Sequence, residues 1–155
     1  MRFRLSRTIP HTPWRAENTW SLSPKRFTIL IIGLALFGIG DGLLVVAHIG
    51  NAPWSVLAQG LSLRTNIALG WWTFFISTIV LLIWIPLREK PGFGTVANIV
   101  VIATFIQLTV DLLPTPSAIW SQLALSIIGV ITVGAGSALY LTCGLGPGPR
   151  DGLMT

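Results

Sequence analysis

The sequence predicts an all-α, polytopic membrane protein with four transmembrane helices, built as a three-helix repeat of inverted topology whose second copy is incomplete. Composition is the first reason: 52% of the 155 residues are apolar and only 10% are charged. A soluble domain of this length could not carry that balance without exposing large apolar patches. Second, the apolar residues gather into runs at 27–49, 67–87, 93–113 and 121–143, each close to the ~20 helical residues that a hydrocarbon core of about 30 Å requires. The runs show no strand-like alternation, so helices rather than a barrel must satisfy the backbone in lipid. Third, one pattern occurs twice, 96 residues apart: Gly33, Gly38, Gly40, Gly50, Pro53 and Leu57 recur as Gly129, Gly134, Gly136, Gly146, Pro149 and Leu153. A glycine-bearing apolar helix thus leads twice into a Gly-Pro turn, the mark of an internal repeat.

The chain opens with residues 1–26, where Arg2, Arg4, Arg7, Arg15, Lys25 and Arg26 stand against Glu17, and Pro10, Pro13 and Pro24 interrupt any helix. This reads as a flexible, basic, cytoplasmic tail. Charges beside a first helix set topology and touch anionic lipid headgroups, which makes lipid rather than nucleic acid the expected partner. Trp14, Trp20 and Phe27 suit that interface. The run that follows is too long for a secretory signal and lacks a small-x-small cleavage site, so it is read as an uncleaved anchor.

Within the first run, Gly38 and Gly42 form a G-x-x-x-G pattern. Their repeat mates, Gly134 and Ala138, form the small-residue equivalent on the fourth run. Small residues four apart let helix backbones approach closely, so the first and fourth helices are expected to meet through these positions. Asp41 lies between the two glycines. A carboxylate at that depth is costly and is a functional candidate by default, as a proton relay or a counter-ion; its mate is Ser137. Asn98, Gln107 and Asp111 on the third run are weaker candidates, the last two sharing a face.

The first turn, from Gly50 through Pro53 and Ser55, and the second, from Gly146 through Pro149, Arg150 and Asp151, are stop-and-restart signals. The restart at 53–61 is too short to span and is either re-entrant or interfacial. Ser55 and Asp151 are placed where their oxygens could cap free amides. If both turns dip inward, their helix N-termini could line a site for an anion or a polar solute.

With the tail inside, Arg88, Lys90 and Arg150 also fall inside and only Arg64 falls outside, in accord with the positive-inside rule. The repeat unit therefore holds three crossings, and an odd number inverts the second copy. The expected division is 27–114 for the first repeat and 121–155 for part of a second, within a membrane domain covering 27–155. The symmetry predicts two further helices, which makes the chain a shortened form of a six-helix protein. Cys143 is the sole cysteine and His11 and His48 are the only histidines. No metal, cofactor or enzymatic activity is expected, because no nucleophile with a base and no phosphate loop is present.

Three blocks carry a resemblance: residues 33–61; 81–98, with its Trp-Ile-Pro-Leu-Arg-Glu-Lys-Pro-Gly-Phe-Gly-Thr hinge; and 144–155, Gly-Leu-Gly-Pro-Gly-Pro-Arg-Asp-Gly-Leu-Met-Thr. From residue 27 onward the chain resembles the YczE/YyaS/YitT family of bacterial integral membrane proteins, its YczE-like branch most closely. The resemblance implies the bacterial inner membrane and further helices after the second block. In the first turn this chain has Ser55 where the family usually has an acid, and Ala58 where it has histidine. The expected function is a transporter-like, multi-pass plasma-membrane protein handling a small solute between the two turns. The alternatives are a non-transporting scaffold or regulator, or an inactive fragment; a homo-oligomer is left open.

Overall fold

A computed structural model describes residues 12–16, 18–87 and 91–152, and the regular structure among them is helical. The elements are α1 (Pro24–Ala47), α2 (Pro53–Thr65), α3 (Leu69–Leu87), α4 (Phe93–Leu112), α5 (Ile119–Thr142) and the short α6 (Pro149–Gly152). Each of the four apolar runs is a helix. By length and composition α1, α4 and α5 suffice to cross a membrane, while the described apolar stretch of α3, Leu69–Ile85, is shorter.

Local chemistry sets the helix ends. Ser23 caps α1, its Oγ accepting the Arg26 N–H at 3.4 Å, and Pro24 occupies the first turn, where a missing N–H costs nothing. α1 stops at His48 and α2 at Asn66, both in the left-handed region with φ of 57°. α2 runs past the expected 53–61 because nothing between Leu61 and Thr65 breaks a helix; the Asn66 N–H closes it on the Ser62 carbonyl at 2.9 Å. At the start of α4, the Thr95 hydroxyl accepts the Gly92 N–H at 3.1 Å.

α1 is the central element and packs on α5 and α4; α3 lies against α4, and α2 and α6 lie against α3. The α1–α5 contact is backbone on backbone. A Cβ on Gly33 would lie 2.8 Å from the Tyr140 nitrogen and 3.1 Å from the Gly136 oxygen, and one on Gly136 only 2.6 Å from the Gly33 oxygen and the Phe37 nitrogen. Likewise a Cβ on Gly40 would meet the Val133 nitrogen at 2.7 Å and the Gly129 oxygen at 2.8 Å, and one on Gly129 the Gly40 oxygen at 2.9 Å and Leu44 at 3.0 Å. Contacting positions rise along α1 as they fall along α5, so the two helices are antiparallel. They are also reciprocal at the sequence offset of 96: Gly33 meets Gly136 as Gly40 meets Gly129, Phe37 meets Gly136 as Val133 meets Gly40, and Tyr140 meets Gly33 as Leu44 meets Gly129.

The expected meeting of α1 and α5 is present, but the expected residues do not make it. Gly38 and Gly42 face α4: a Cβ on Gly38 would meet Phe105 at 2.8 Å, and one on Gly42 would meet Thr109 at 2.6 Å. Gly134 has open space around it to 4 Å and Ala138 is exposed. The reason is helical geometry. Positions two apart are separated by about 200° around the axis, so Gly38 and Gly40, or Gly134 and Gly136, point to opposite sides.

The tail also departs from expectation. Residues 1–11 and Glu17 lie outside the described residues, as do Arg88, Glu89 and Lys90 of the loop before α4. Residues 12–16 and 18–23, however, are fastened rather than flexible. The Ala16 N–H donates to the Cys143 carbonyl at 2.8 Å, the Thr12 hydroxyl to the Thr142 carbonyl at 3.0 Å, and the Trp14 indole N–H to the Thr142 hydroxyl at 3.2 Å. The Arg26 Nε holds the Trp14 carbonyl at 3.1 Å, and the Phe93 N–H donates to Thr19 at 3.1 Å. The last carbonyls of a helix have no partner within it, and here the tail supplies donors for those of α5.

Gly40→Leu or Gly136→Leu is expected to cost about 1–3 kcal/mol by overpacking, read as loss of the monodisperse peak in detergent size-exclusion chromatography. Gly134→Leu in the same chain should leave that peak unchanged.

Candidate functional site

Asp41 is 2% exposed on α1. The Ser55 hydroxyl, in the first turn of α2, lies 2.9 Å from its Oδ1 and 2.7 Å from its Oδ2 and donates to the carboxylate. Ser55 therefore does not cap α2 as expected; the N-cap is Ala52, with no side-chain bond. The geometry explains the change of role. Asp41 precedes the end of α1 at Ala47 by about 9 Å of helical rise, so the chain turns back along α1 before α2 begins, and a hydroxyl there finds a buried carboxylate as its acceptor.

The second turn reaches the same region from the other end of α5. Gly144 and Gly146 have φ of 67° and 106°, a conformation open to glycine, and a Cβ on Gly146 would lie 2.8 Å from the Thr95 hydroxyl. The turn is then pinned from two helices, α4 and α3. The Gly94 N–H donates to the Leu145 carbonyl at 2.8 Å, the Thr95 hydroxyl to the Pro147 carbonyl at 2.8 Å, and the Trp84 indole to the Pro149 carbonyl at 3.1 Å. Pro149 is buried. From this fixed base the Arg150 guanidinium reaches Ser77 at 3.5 Å, in the middle of α3, and acts electrostatically on Asp41.

The structure thus joins the buried Asp41 and Ser55 by hydrogen bonds and brings the half-buried Arg150, carried by the turn through Gly146 and Pro149, near enough to act on Asp41 electrostatically. It does not bring Gly50 and Pro53 in: both are exposed, and Gly50 has nothing within 4 Å of an added Cβ. The Asp151 side chain lies outside the described residues. Sequence reasoning missed Ser77. The available signal was Thr73 and Ser77, four apart on a mostly apolar helix, a spacing that places two hydroxyls on one face, and both are buried. Of the weaker candidates, Asn98 is buried on α4, and Gln107 donates to Asp111 at 2.7 Å as their spacing implied. Among the described residues no three His, Cys, Asp or Glu side chains cluster as metal ligands.

A carboxylate held by a hydroxyl, with a guanidinium acting on it inside an apolar helical body, places the chain among integral membrane proteins. It belongs to DUF6198, a family of unknown function, which its residues 24–155 match. It is 47% identical over 148 residues to a protein of Haemophilus influenzae described as uncharacterised, covering 96% of this chain and 68% of that one. It is 29% identical to the membrane protein YczE of Bacillus subtilis, covering 83% of this chain and 61% of YczE. With YyaS of the same organism it shares 29% identity, covering 79% of this chain and 63% of YyaS. These relatives bear out the resemblance read from the motifs, and the chain spans roughly two thirds of their length. No solved structure matches.

Ser55→Ala leaves a buried carboxylate without its donor and is expected to destabilise by about 1–3 kcal/mol, measured by thermal unfolding in detergent. In an Asp41→Asn background the same change should cost measurably less, because the two side chains are coupled.

Proposed function

We propose that the chain is a multi-pass plasma-membrane protein with four crossings and a cytoplasmic amino terminus, whose two Gly-Pro turns are the halves of a site for a small polar solute. The carrying observation is geometric: the Ser55 hydroxyl of the first turn donates to the buried Asp41 carboxylate inside an apolar helical body, while Arg150 of the second turn reaches Ser77 in the middle of α3. Intramembrane charges are expensive and are retained where they serve ions, protons or substrates. The solute would exchange its own polar groups for the Asp41 and Arg150 contacts. No enzymatic step is proposed.

The proposal includes an inverted repeat, for which the packing of α1 on α5 is the support. Reciprocal α1–α5 contacts at the repeat offset are what a two-fold axis between equivalent helices produces. An axis in the membrane plane, with sites built from interrupted helices near the midplane, is the transporter arrangement. α2 is then re-entrant, since its first turn lies beside Asp41 rather than at the end of α1. The basic tail would rest on anionic headgroups.

A second reading has its own observation. α4 covers Gly38 and Gly42 on α1, while the equivalent Gly134 and Ala138 on α5 are bare, and α5 is mostly exposed along its length. The chain would then be one part of a six-helix body and transport nothing by itself, or would be a scaffold that takes a partner helix at this face.

Proteoliposomes of this chain and of the Haemophilus influenzae relative, screened for uptake of small polar solutes, test the first reading. Flux is expected to fall at least tenfold with Asp41→Asn or Arg150→Gln; flux indifferent to both overturns this site, and absence of flux from both proteins favours the scaffold reading. Topology is read separately. In a Cys143→Ser background, Pro116→Cys should react with a membrane-impermeant maleimide on intact cells, and Asn18→Cys only after permeabilisation.

A further inference from the structure

α3 and α4 touch at Gly70, where an added Cβ would meet the Ala103 carbonyl and Gln107 Cβ at 2.8 Å. Beside that contact the helices leave a groove of about 520 Å³, open on its outer side and walled by Trp71 and Phe74 of α3 and Val100, Thr104 and Leu108 of α4. Trp71 is braced by Phe75, stacked at 5.9 Å and 28°, and by Phe74, edge-on at 6.2 Å. At one end of the groove lies a polar relay. The Gly70 N–H donates to Gln107 Oε1 at 2.8 Å, and Gln107 Nε2 donates to Asp111 Oδ1 at 2.7 Å. Asp111 is exposed in the last turn of α4.

We propose that this groove binds one acyl chain of a phospholipid whose headgroup carries an ammonium, with the ammonium at Asp111. The apolar walls fit an acyl chain and offer nothing to a water-soluble ligand along their length. The mouth selects the charge. Gln107 is committed on both its oxygen and its nitrogen, which fixes Asp111, and a carboxylate keeps acceptor sites beyond the one Gln107 uses. The C-terminal end of α4 adds partial negative charge at the same place, and Trp71 presents an aromatic ring to which a cation is attracted. An anionic headgroup would meet repulsion there. The inference stands on the α3–α4 face and is independent of the solute-site reading.

The test uses the full chain in phosphatidylglycerol vesicles doped with chain-spin-labelled phosphatidylethanolamine or chain-spin-labelled phosphatidylglycerol. Quenching of tryptophan fluorescence is read with Trp71→Phe as the reference that isolates the Trp71 contribution. The ethanolamine lipid is expected to quench that contribution at about two- to fivefold lower mole fraction, the range an exposed ion pair supports. Asp111→Asn should abolish the preference without changing the far-UV circular dichroism, and Thr104→Phe, which fills the groove, should weaken quenching by both lipids. Equal quenching by the two headgroups in the unmodified chain, or a preference that survives Asp111→Asn, overturns the proposal. So does quenching by neither lipid together with Trp71→Cys cross-linking into dimers, which would give the groove to a second copy.

Discussion

Two apolar helices in lipid gain little from hiding their side chains from each other, because the hydrocarbon around them is equally apolar; association rests on close packing. In this protein the constraint is met by removing side chains altogether along one seam. Gly33 and Gly40 of α1 face Gly136 and Gly129 of α5, and backbone meets backbone. Everything else is hung on that seam. α4 lies on the far side of α1 through a second pair of glycines, and α3 is drawn onto α4 by Gly70.

The seam also decides where charge can be housed. Because α1 is gripped on two faces, Asp41 is carried at a point where it cannot swing toward lipid. The cost of a buried carboxylate is offset by a hydroxyl and by a guanidinium arriving from opposite ends of the fold. The two turns differ in firmness. The second is tied to α3 and α4 by hydrogen bonds from Gly94, Thr95 and Trp84, while the first keeps an open glycine and has Asn51 Oδ1 buried without a hydrogen-bond partner.

The helices were legible because their signals are local. Apolar runs and Pro53 at a helix start are read within a few positions, whereas Pro24, read as a helix breaker, instead opens α1 three residues before the expected start. The offset of 96 was legible too, and the close contacts between α1 and α5 recur at it. Which glycines touch which helix was not. Gly38 and Gly40 look alike in a list of small residues, and only the positions of α4 and α5 around α1 separate their roles. Ser77 went unread for a related reason: among the hydroxyls of Thr73, Ser77 and Thr78 on α3, it is singled out when Arg150, from a distant part of the chain, is brought to it. The fastening of residues 12–16 escaped because its partners are spare carbonyls at the end of α5, and backbone oxygens leave no trace in side-chain patterns.

That fastening ties nearly the first described residues to nearly the last helix: Ala16 bonds to Cys143 and Thr12 to Thr142. A ribosome delivers the chain from its amino end, so this segment must wait, unanchored, until α5 has been made. The closing of this clasp reports that synthesis has passed α5.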